Sequence, residues 1–373
     1  MFNRNSWKNF KAFLFGLGIA LLMCEIILRI YNPFPFALQK GKLVIPANQS
    51  RIYDNKWISR LDKKIIYSRN SLGFRGPEMP AMDSGWLKLI TVGGSTTACT
   101  FLSDTRTWPF LLGKKLESMH QKTWLNNAGI DGHSSFGHTL MLRDHVLPLK
   151  PDYVLFLMGI NDTETNQSVE FDEMTEKNIH TGSVKSFLKS LLNYSELGRT
   201  VFSFYQVSIA YKKGLFHQEI EVKKLVDHPL PDAIFITRLG RQSQFLKGYK
   251  ERTDSIIMMC KNAGVQPIFL TQPSLFGSYT DSITGIDMTN KWMNQKDPEN
   301  SLLQEKVLEL YNDVLRSDSS RIMVIDLARK MPKDSRYYYD FIHFTNEGAE
   351  KVAEILAGEL EKTILKKLSF RTF

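Results

Sequence analysis

Cysteine is scarce in this chain: Cys24, Cys99 and Cys260 are all that its 373 residues contain. Three thiols so widely spaced give neither a disulfide framework nor a thiolate zinc site. No cluster with metal-ligand spacing is visible among His, Asp and Glu either, so no metal and no cofactor is expected. There is no internal repeat and no low-complexity segment, which sets aside solenoids and disordered tails. The net charge is +9, yet no zinc-finger spacing, Lys/Arg-dense arm or nucleic-acid-binding motif accompanies it. Positive charge spread along a chain in this way is a solvated basic surface. It suits work near anionic headgroups or acidic glycan, with no nucleic-acid partner. Hydrophobic residues at 43% and charged residues at 23% leave material for a sizeable core, in one large domain or two modest ones.

One long apolar run stands out, from Ala12 to Ile30, preceded by Arg4, Lys8 and Lys11. As a helix it spans roughly 27–30 Å, the thickness of a hydrocarbon layer. Its two charges, Glu25 and Arg29, are four apart with the acid first, so they can pair on one face near the end of the span. No small-x-small cleavage site follows the run, and Met23 precedes Cys24 where a lipid-modified cysteine would follow a small residue. The expectation is an uncleaved, single-pass membrane anchor over residues 1–31 with its basic amino terminus inside. The body then lies outside the cytoplasm, periplasmic or extracellular. Residues 32–85 carry Pro33, Pro35, Pro46, Pro77 and Pro80 with little periodicity, and read as a stalk and domain-edge segment. Within them, Asn70-Ser71-Leu72-Gly73-Phe74-Arg75-Gly76-Pro77 is turn-rich and should pack on the domain edge.

The remainder, 86–373, is organised around Leu87-Lys88-Leu89-Ile90-Thr91-Val92-Gly93-Gly94-Ser95. An apolar, partly β-branched run reads as a buried strand, and two glycines let the chain turn sharply at its end. Thr107 can cap a following helix, with Pro109 in its first turn and Phe110, Leu112, Leu116 and Met119 near one face. Further strands are expected at the start of Trp124–Ser135, where a short strand runs into a glycine-bearing loop, in Pro151–Asp162, which ends in Gly-x-Asn-Asp, at Val265–Thr271 and at Ile322–Asp326. Helices are expected through Leu140–Val146, from about Arg241 to Asn262, near Leu302–Leu315, and after Thr345 or Asn346 with Val352, Leu356 and Leu360 buried. Such alternation predicts an α/β fold, a three-layer α/β/α sandwich on a parallel sheet. Between about 164 and 236 the pattern loosens. Phe187, Leu188, Leu191, Leu192, Val201, Phe202 and Phe204, flanked by lysines, suggest a helical insertion that packs on the core, contacts the membrane or covers the site.

Four features fall at strand ends or just before the last helix: Ser95, Gly132, Asn161 and the pair Asp340–His343. Each alone has a bland reading as a bend, a cap or a core histidine. Together they are the parts of acyl transfer: a hydroxyl nucleophile, a base, an acid that orients the base, and donors for an oxyanion. An Asp three residues before a His can reach its imidazole on one tight turn. The amides of Ser95 and Gly132 and the side chain of Asn161 are candidate oxyanion donors. Cys99 lies near Ser95 but needs no role beyond that of a small buried hydrophobe.

In this order Gly93-Gly94-Ser95, Asn127-Ala128-Gly129-Ile130-Asp131-Gly132, Gly159-Ile160-Asn161-Asp162 and Asp340-Phe341-Ile342-His343 resemble the four blocks of the SGNH hydrolases, the GDSL family. The anchor and the stretch around Asn70–Gly76 resemble its membrane-anchored bacterial branch. The resemblance implies a flavodoxin-like sheet and a serine esterase. Ser95, His343 and Asp340 would be catalytic, and Ser95, Gly132 and Asn161 would form the oxyanion hole. Gly129 and Gly132 both suit the second block; Gly132 is preferred because it falls five after the Asn. The family's Asp before the serine is here Gly94. Acylated envelope glycan, lipid or small esters are the implied substrates, acetyl esters foremost. An O-acyltransferase acting on a sugar hydroxyl and a non-catalytic envelope scaffold are the alternatives. An α/β-hydrolase elbow would need Gly where Thr97 stands and an acid well upstream of the histidine, and a P-loop would need a Lys that is absent.

Overall fold

The computed structural model describes residues 4–30, 38–39, 42–43, 45–80, 85–120, 122–166, 195–198, 200–201 and 217–365. Most of the expected helical insertion, namely 167–194, 199 and 202–216, lies outside the described residues. The chain divides into two compact units: Met1–Ile45 with Met174–Phe216, and Pro46–Glu173 with His217–Phe373.

In the first unit, helix α1 (Arg4–Ile30) contains one stretch, Trp7–Ile30, long and apolar enough to cross a membrane. A signal sequence passes the same test of length and composition. Its large apolar side chains are exposed, Phe15 and Leu22 among them. Arg29 Nε donates to Glu25 Oε1 at 2.8 Å, the pairing that the four-residue spacing predicts.

The second unit opens with a hairpin, β1 (Gln49–Asp54) antiparallel to β2 (Lys64–Arg69), where the sequence suggested irregular structure. Strand β3 (Leu87–Gly93) is buried along its whole length. Next come α2 (Ser95–Ala98), α3 (Trp108–Met119), β4 (Thr123–Asn127), α4 (Ser135–Met141) and β5 (Tyr153–Met158). After the second unit resumes come α5 (Asp232–Asn262), β6 (Gln266–Thr271), α6 (Ser301–Ser317), β7 (Met323–Ile325) and α7 (Asn346–Leu360). The five strands make one parallel sheet in the order β7-β6-β5-β3-β4.

Period-two alternation divides each strand between two faces. Leu87, Leu89, Leu155, Leu157, Ile268 and Leu270 share a core cluster with Leu112 and Leu116 of α3 and with Val352, Ala353 and Leu356 of α7. Their neighbours Ile90, Val92, Val154, Phe156 and Phe269 are equally buried and lie outside that cluster. Phe156 and Phe269 meet edge to face at 5.7 Å. Helices α4, α5 and α6 pack together and α5 and α6 lie on β6, so the expected three-layer α/β/α sandwich is what forms. Thr107 caps α3 by accepting from Phe110 N, and Pro109 sits in its first turn, as the sequence indicated. Helix α5 begins at Asp232, nine residues before the start read from the sequence.

Candidate active site

Each strand delivers its loop at the carboxyl end of the sheet, where open α/β folds gather ligand-binding groups. Strand β3 ends at Gly93, Gly94 caps α2 and Ser95 opens it. Cys99 closes this short helix in the left-handed region, at φ 50°. Arg75, from the turn-rich stretch, gathers the carbonyls at its far end. Its Nη1 donates to Ala98 O at 2.6 Å and Cys99 O at 2.9 Å, and its Nη2 to Leu102 O at 2.8 Å. Asp104 pairs with the same guanidinium at 2.8 Å. A buried cation on the orphan carbonyls of a helix end is a favourable arrangement, and it fixes the turn that presents Ser95.

The loop before α7 brings in the second pair. Asp340 Oδ1 accepts from the backbone amides of Ile342 at 2.8 Å and His343 at 2.7 Å. Its Oδ2 lies 2.6 Å from His343 Nδ1. His343 Nε2 lies 2.7 Å from Ser95 Oγ, across 248 residues of chain. Burial by itself would raise the Asp340 pKa, but the facing His343 and these N–H donors outweigh it and hold the carboxyl below its ordinary value. Asp340 therefore faces His343 as a carboxylate.

Asn161 sits on a tight turn, Ile160–Asp162, after β5, entered through Gly159 at φ 124°. Its Nδ2 donates to His133 O at 2.9 Å. The same nitrogen lies against Gly94: a methyl built there would fall 2.5 Å from Asn161 Nδ2 and 3.1 Å from His133 O. The position before Ser95 therefore has no room for a side chain while Asn161 stays in place. Gly132, at φ 74°, belongs to a turn closed by His133 N to Ile130 O, while Ile130 N bonds Gly93 O. That conformation favours glycine. Gly129 packs against the backbone of α2 at Thr97 and Ala98. The structure thus brings Ser95, Asp340 and His343 into one chain of contacts, seats Asn161 against Gly94, and puts Gly132 in the turn that hydrogen-bonds to the end of β3.

Three supports were not read from the sequence. His217 lies on His343, ring centroids 4.0 Å apart, with its Nδ1 2.5 Å from the Tyr339 hydroxyl. Burial first, and then the neighbouring His343, pushes the His217 pKa down to about 4, so it is neutral at neutral pH. Tyr339 stacks on His343 as well, at 5.5 Å. The third is Arg252 of α5, which donates to Ser135 Oγ at 2.5 Å, and Ser135 Oγ in turn to the fully buried Asp162. Nothing in local sequence marks His217 or Arg252, because their partners are distant in the chain. His217, Asp340 and His343 also place a ligand atom each within 4.8 Å of one another. The Asp340–His343 hydrogen bond and the stacking of His217 on His343 account for that proximity. Burial raises the Cys99 thiol pKa to about 12, against a smaller opposing pull from Arg75, which keeps it protonated and inert.

A small cleft opens beside Ser95, lined by Thr96, Cys99, Phe101, Leu102, Tyr339 and Phe344.

Residues 91–208 match the family described as GDSL-like lipase/acylhydrolase. No curated protein matches the chain. Among solved structures, the acetylxylan esterase Axe2 from Geobacillus stearothermophilus is 14% identical, with 75% of this chain and 96% of that one covered at a TM-score of 0.41. The lipase/acylhydrolase from Enterococcus faecalis is 16% identical, with 74% and 96% covered at 0.39. At such identities and scores the likeness bears on neither substrate nor acceptor.

Proposed function

We propose that this chain, whose residues 91–208 match the GDSL-like lipase/acylhydrolase family, is an ester-hydrolysing enzyme that works through an acyl-enzyme on Ser95 and takes acetyl or similarly short acyl groups. The observation that carries the mechanism is the unbroken run Ser95 Oγ, His343 Nε2, His343 Nδ1, Asp340 Oδ2, with steps of 2.7 and 2.6 Å. Ser95 Oγ attacks the ester carbonyl while its proton passes to His343 Nε2. Asp340 holds the proton on Nδ1 and stabilises the imidazolium. The oxyanion is received by Ser95 N–H, by Gly132 N–H and by Asn161 Nδ2. Ser95 N–H belongs to the first turn of α2, where amides have no partner within the helix. Asn161 Nδ2 has two protons, and His133 O takes one. Collapse breaks the bond to the alcohol oxygen, which leaves with the proton from His343. Water activated by the same imidazole then releases the acid.

The cleft is confined by the side chains of Phe101, Leu102, Tyr339 and Phe344, which supports a short acyl group. The apolar run of α1 from Ala12, the basic residues Arg4, Lys8 and Lys11 before that run, and the lack of a small-x-small site after it support an anchored enzyme whose body acts outside the cytoplasm, on acylated glycan, lipid or small esters of the envelope. The test is a p-nitrophenyl ester series with a fluorophosphonate probe on the detergent-solubilised protein. Labelling at Ser95 with turnover that declines from acetate to longer chains is expected. No labelling, or a preference for long chains, would overturn the mechanism or the acyl assignment respectively.

A further inference from the structure

Glu25 is an acidic residue in the middle of an apolar helix face, and Arg29 accounts for only part of its bonding. Within the first unit, Glu25 Oε2 accepts from Ser195 Oγ at 2.8 Å and from Leu197 N at 3.0 Å, and Oε1 accepts from Glu196 N at 3.1 Å. Ser195 Oγ also accepts from Gly198 N at 2.9 Å. The carboxylate therefore closes the opening turn of the segment that starts at Ser195, a task that chains usually give to a local Ser, Thr or Asp. Burial follows the same pattern. The Glu25 side chain is 18% exposed, while Leu22 and Ile27 on either side of it are 60% exposed.

We infer that α1 is a permanent part of the mature protein and that Glu25 latches the 195–198 turn to it, making a two-part membrane foot from the anchor and that turn. The inference rests on the reading of α1 as a membrane helix and goes beyond it. Glu25 lies roughly 8 Å before the end of the helix at 1.5 Å per residue, near the depth where hydrocarbon gives way to headgroups. An ionised carboxylate there is costly unless its oxygens are satisfied. Here both oxygens have two donors each, from Arg29 and Glu196 on one side and Ser195 and Leu197 on the other. A leader removed after export would leave Ser195, Glu196 and Leu197 without that acceptor. A carboxylate retained only to pair with Arg29 would need none of the three.

The test uses the full chain in lipid nanodiscs. Intact mass reports whether residues 1–31 remain, and alkaline carbonate extraction reports whether the protein is integral. Amide exchange over 195–198 reports the latch. Glu25→Leu should keep the protein in the membrane, since it makes α1 more apolar. It should speed exchange over 195–198 by roughly fivefold to tenfold, the worth of a lost cap. Glu25→Gln, which keeps the volume and one acceptor oxygen, should fall between. Hydrolysis of p-nitrophenyl acetate by each variant serves as the check on the second unit. A mature protein that lacks residues 1–31 would overturn both the anchor and the latch. An integral protein whose 195–198 exchange is unmoved by Glu25→Leu would overturn the latch alone.

Discussion

The imidazole of His217 lies on that of His343, with ring centroids 4.0 Å apart and planes 35° apart. His217 is neutral at neutral pH, so it presents a π-face to a ring that becomes cationic when it takes the Ser95 proton. Phe101 packs on the outer side of His217 at 5.0 Å, and the Tyr339 hydroxyl fixes its Nδ1. We expect His217→Ala to lower kcat/KM by about threefold to tenfold, the worth of one aromatic pair. His217→Phe keeps the stack without the ring nitrogens and should retain most of the rate. Equal losses in both variants would mean that the Tyr339 contact, and not the stacked face, is what matters.

Nucleophile and base are one unit in this arrangement. Ser95→Ala and His343→Ala should each remove nearly all turnover, and the double variant should be little worse than either, since such losses do not add. Ser95→Ala should fold normally, because α2 is held by Arg75 and by its own backbone bonds rather than by the hydroxyl. Additive losses would show that the two residues act in separate steps.

Acid should weaken the fold through two buried imidazoles. Burial, followed by the neighbouring His343, lowers the His217 pKa to about 4, and burial, followed by His133, lowers that of His138 to about 3, from an ordinary 6.5. The groups that face His217 besides His343 are Asp131 and Asp340, whose attraction is outweighed. Between 6.5 and the folded values the unfolded chain takes up protons that the native state refuses, so stability falls as pH drops through that window. At about pH 5 each imidazole costs about 2 kcal/mol, from ~1.5 units at ~1.4 kcal/mol each. Asp340 acts in a lower range. Its pKa is depressed, so the stability it brings is present above the ordinary 3.8 and is lost only as pH falls below that. Thermal melts in detergent should show a lower midpoint at about pH 5 than at about pH 7.5, and His138→Gln should shrink the difference. An undiminished difference would place the acid sensitivity elsewhere.

Much of the site was legible because each of its parts ends an element that announces itself. The β-branched run into Gly93-Gly94-Ser95, the buried run into Gly159-Ile160-Asn161 and the Asp340–His343 spacing need only local pattern. Elements whose burial is weak did not announce themselves. The first turns of α5, residues 232–240, are largely exposed and include Gly240, so no apolar stripe marks where the helix begins. The hairpin strand Gln49–Asp54 has mostly exposed residues and lacks a clean alternation. His217 and Arg75 were missed as site residues for another reason: their partners lie 126 and 23 or more residues away, at His343 and at Ala98, Cys99 and Leu102, and only the fold brings them together.

Gly94 has almost no room for a side chain. A methyl at this position would meet Asn161 Nδ2 at 2.5 Å and the backbone oxygen of His133 at 3.1 Å. The backbone conformation of Gly94, with φ −81°, is open to any residue, so the conflict is one of space alone. The atom that must give way is the end of a side chain, which moves cheaply. It is also the proposed oxyanion donor, whose position matters far more to the rate than to the fold. Gly94→Ala should therefore leave the melting temperature nearly unchanged and lower kcat by roughly 10²–10³, the cost of one lost donor. Asn161→Ala should do the same, with KM changed little, because the donor acts chiefly once charge develops on the oxygen. The double variant should then lose hardly more than either alone, since both remove one interaction. Asp at 94 adds a buried carboxylate to the same conflict and should be worse still in both rate and stability. If Gly94→Ala keeps its full kcat while Asn161→Ala does not, the Asn161 amide can do its work from elsewhere, and the close contact with Gly94 is packing only.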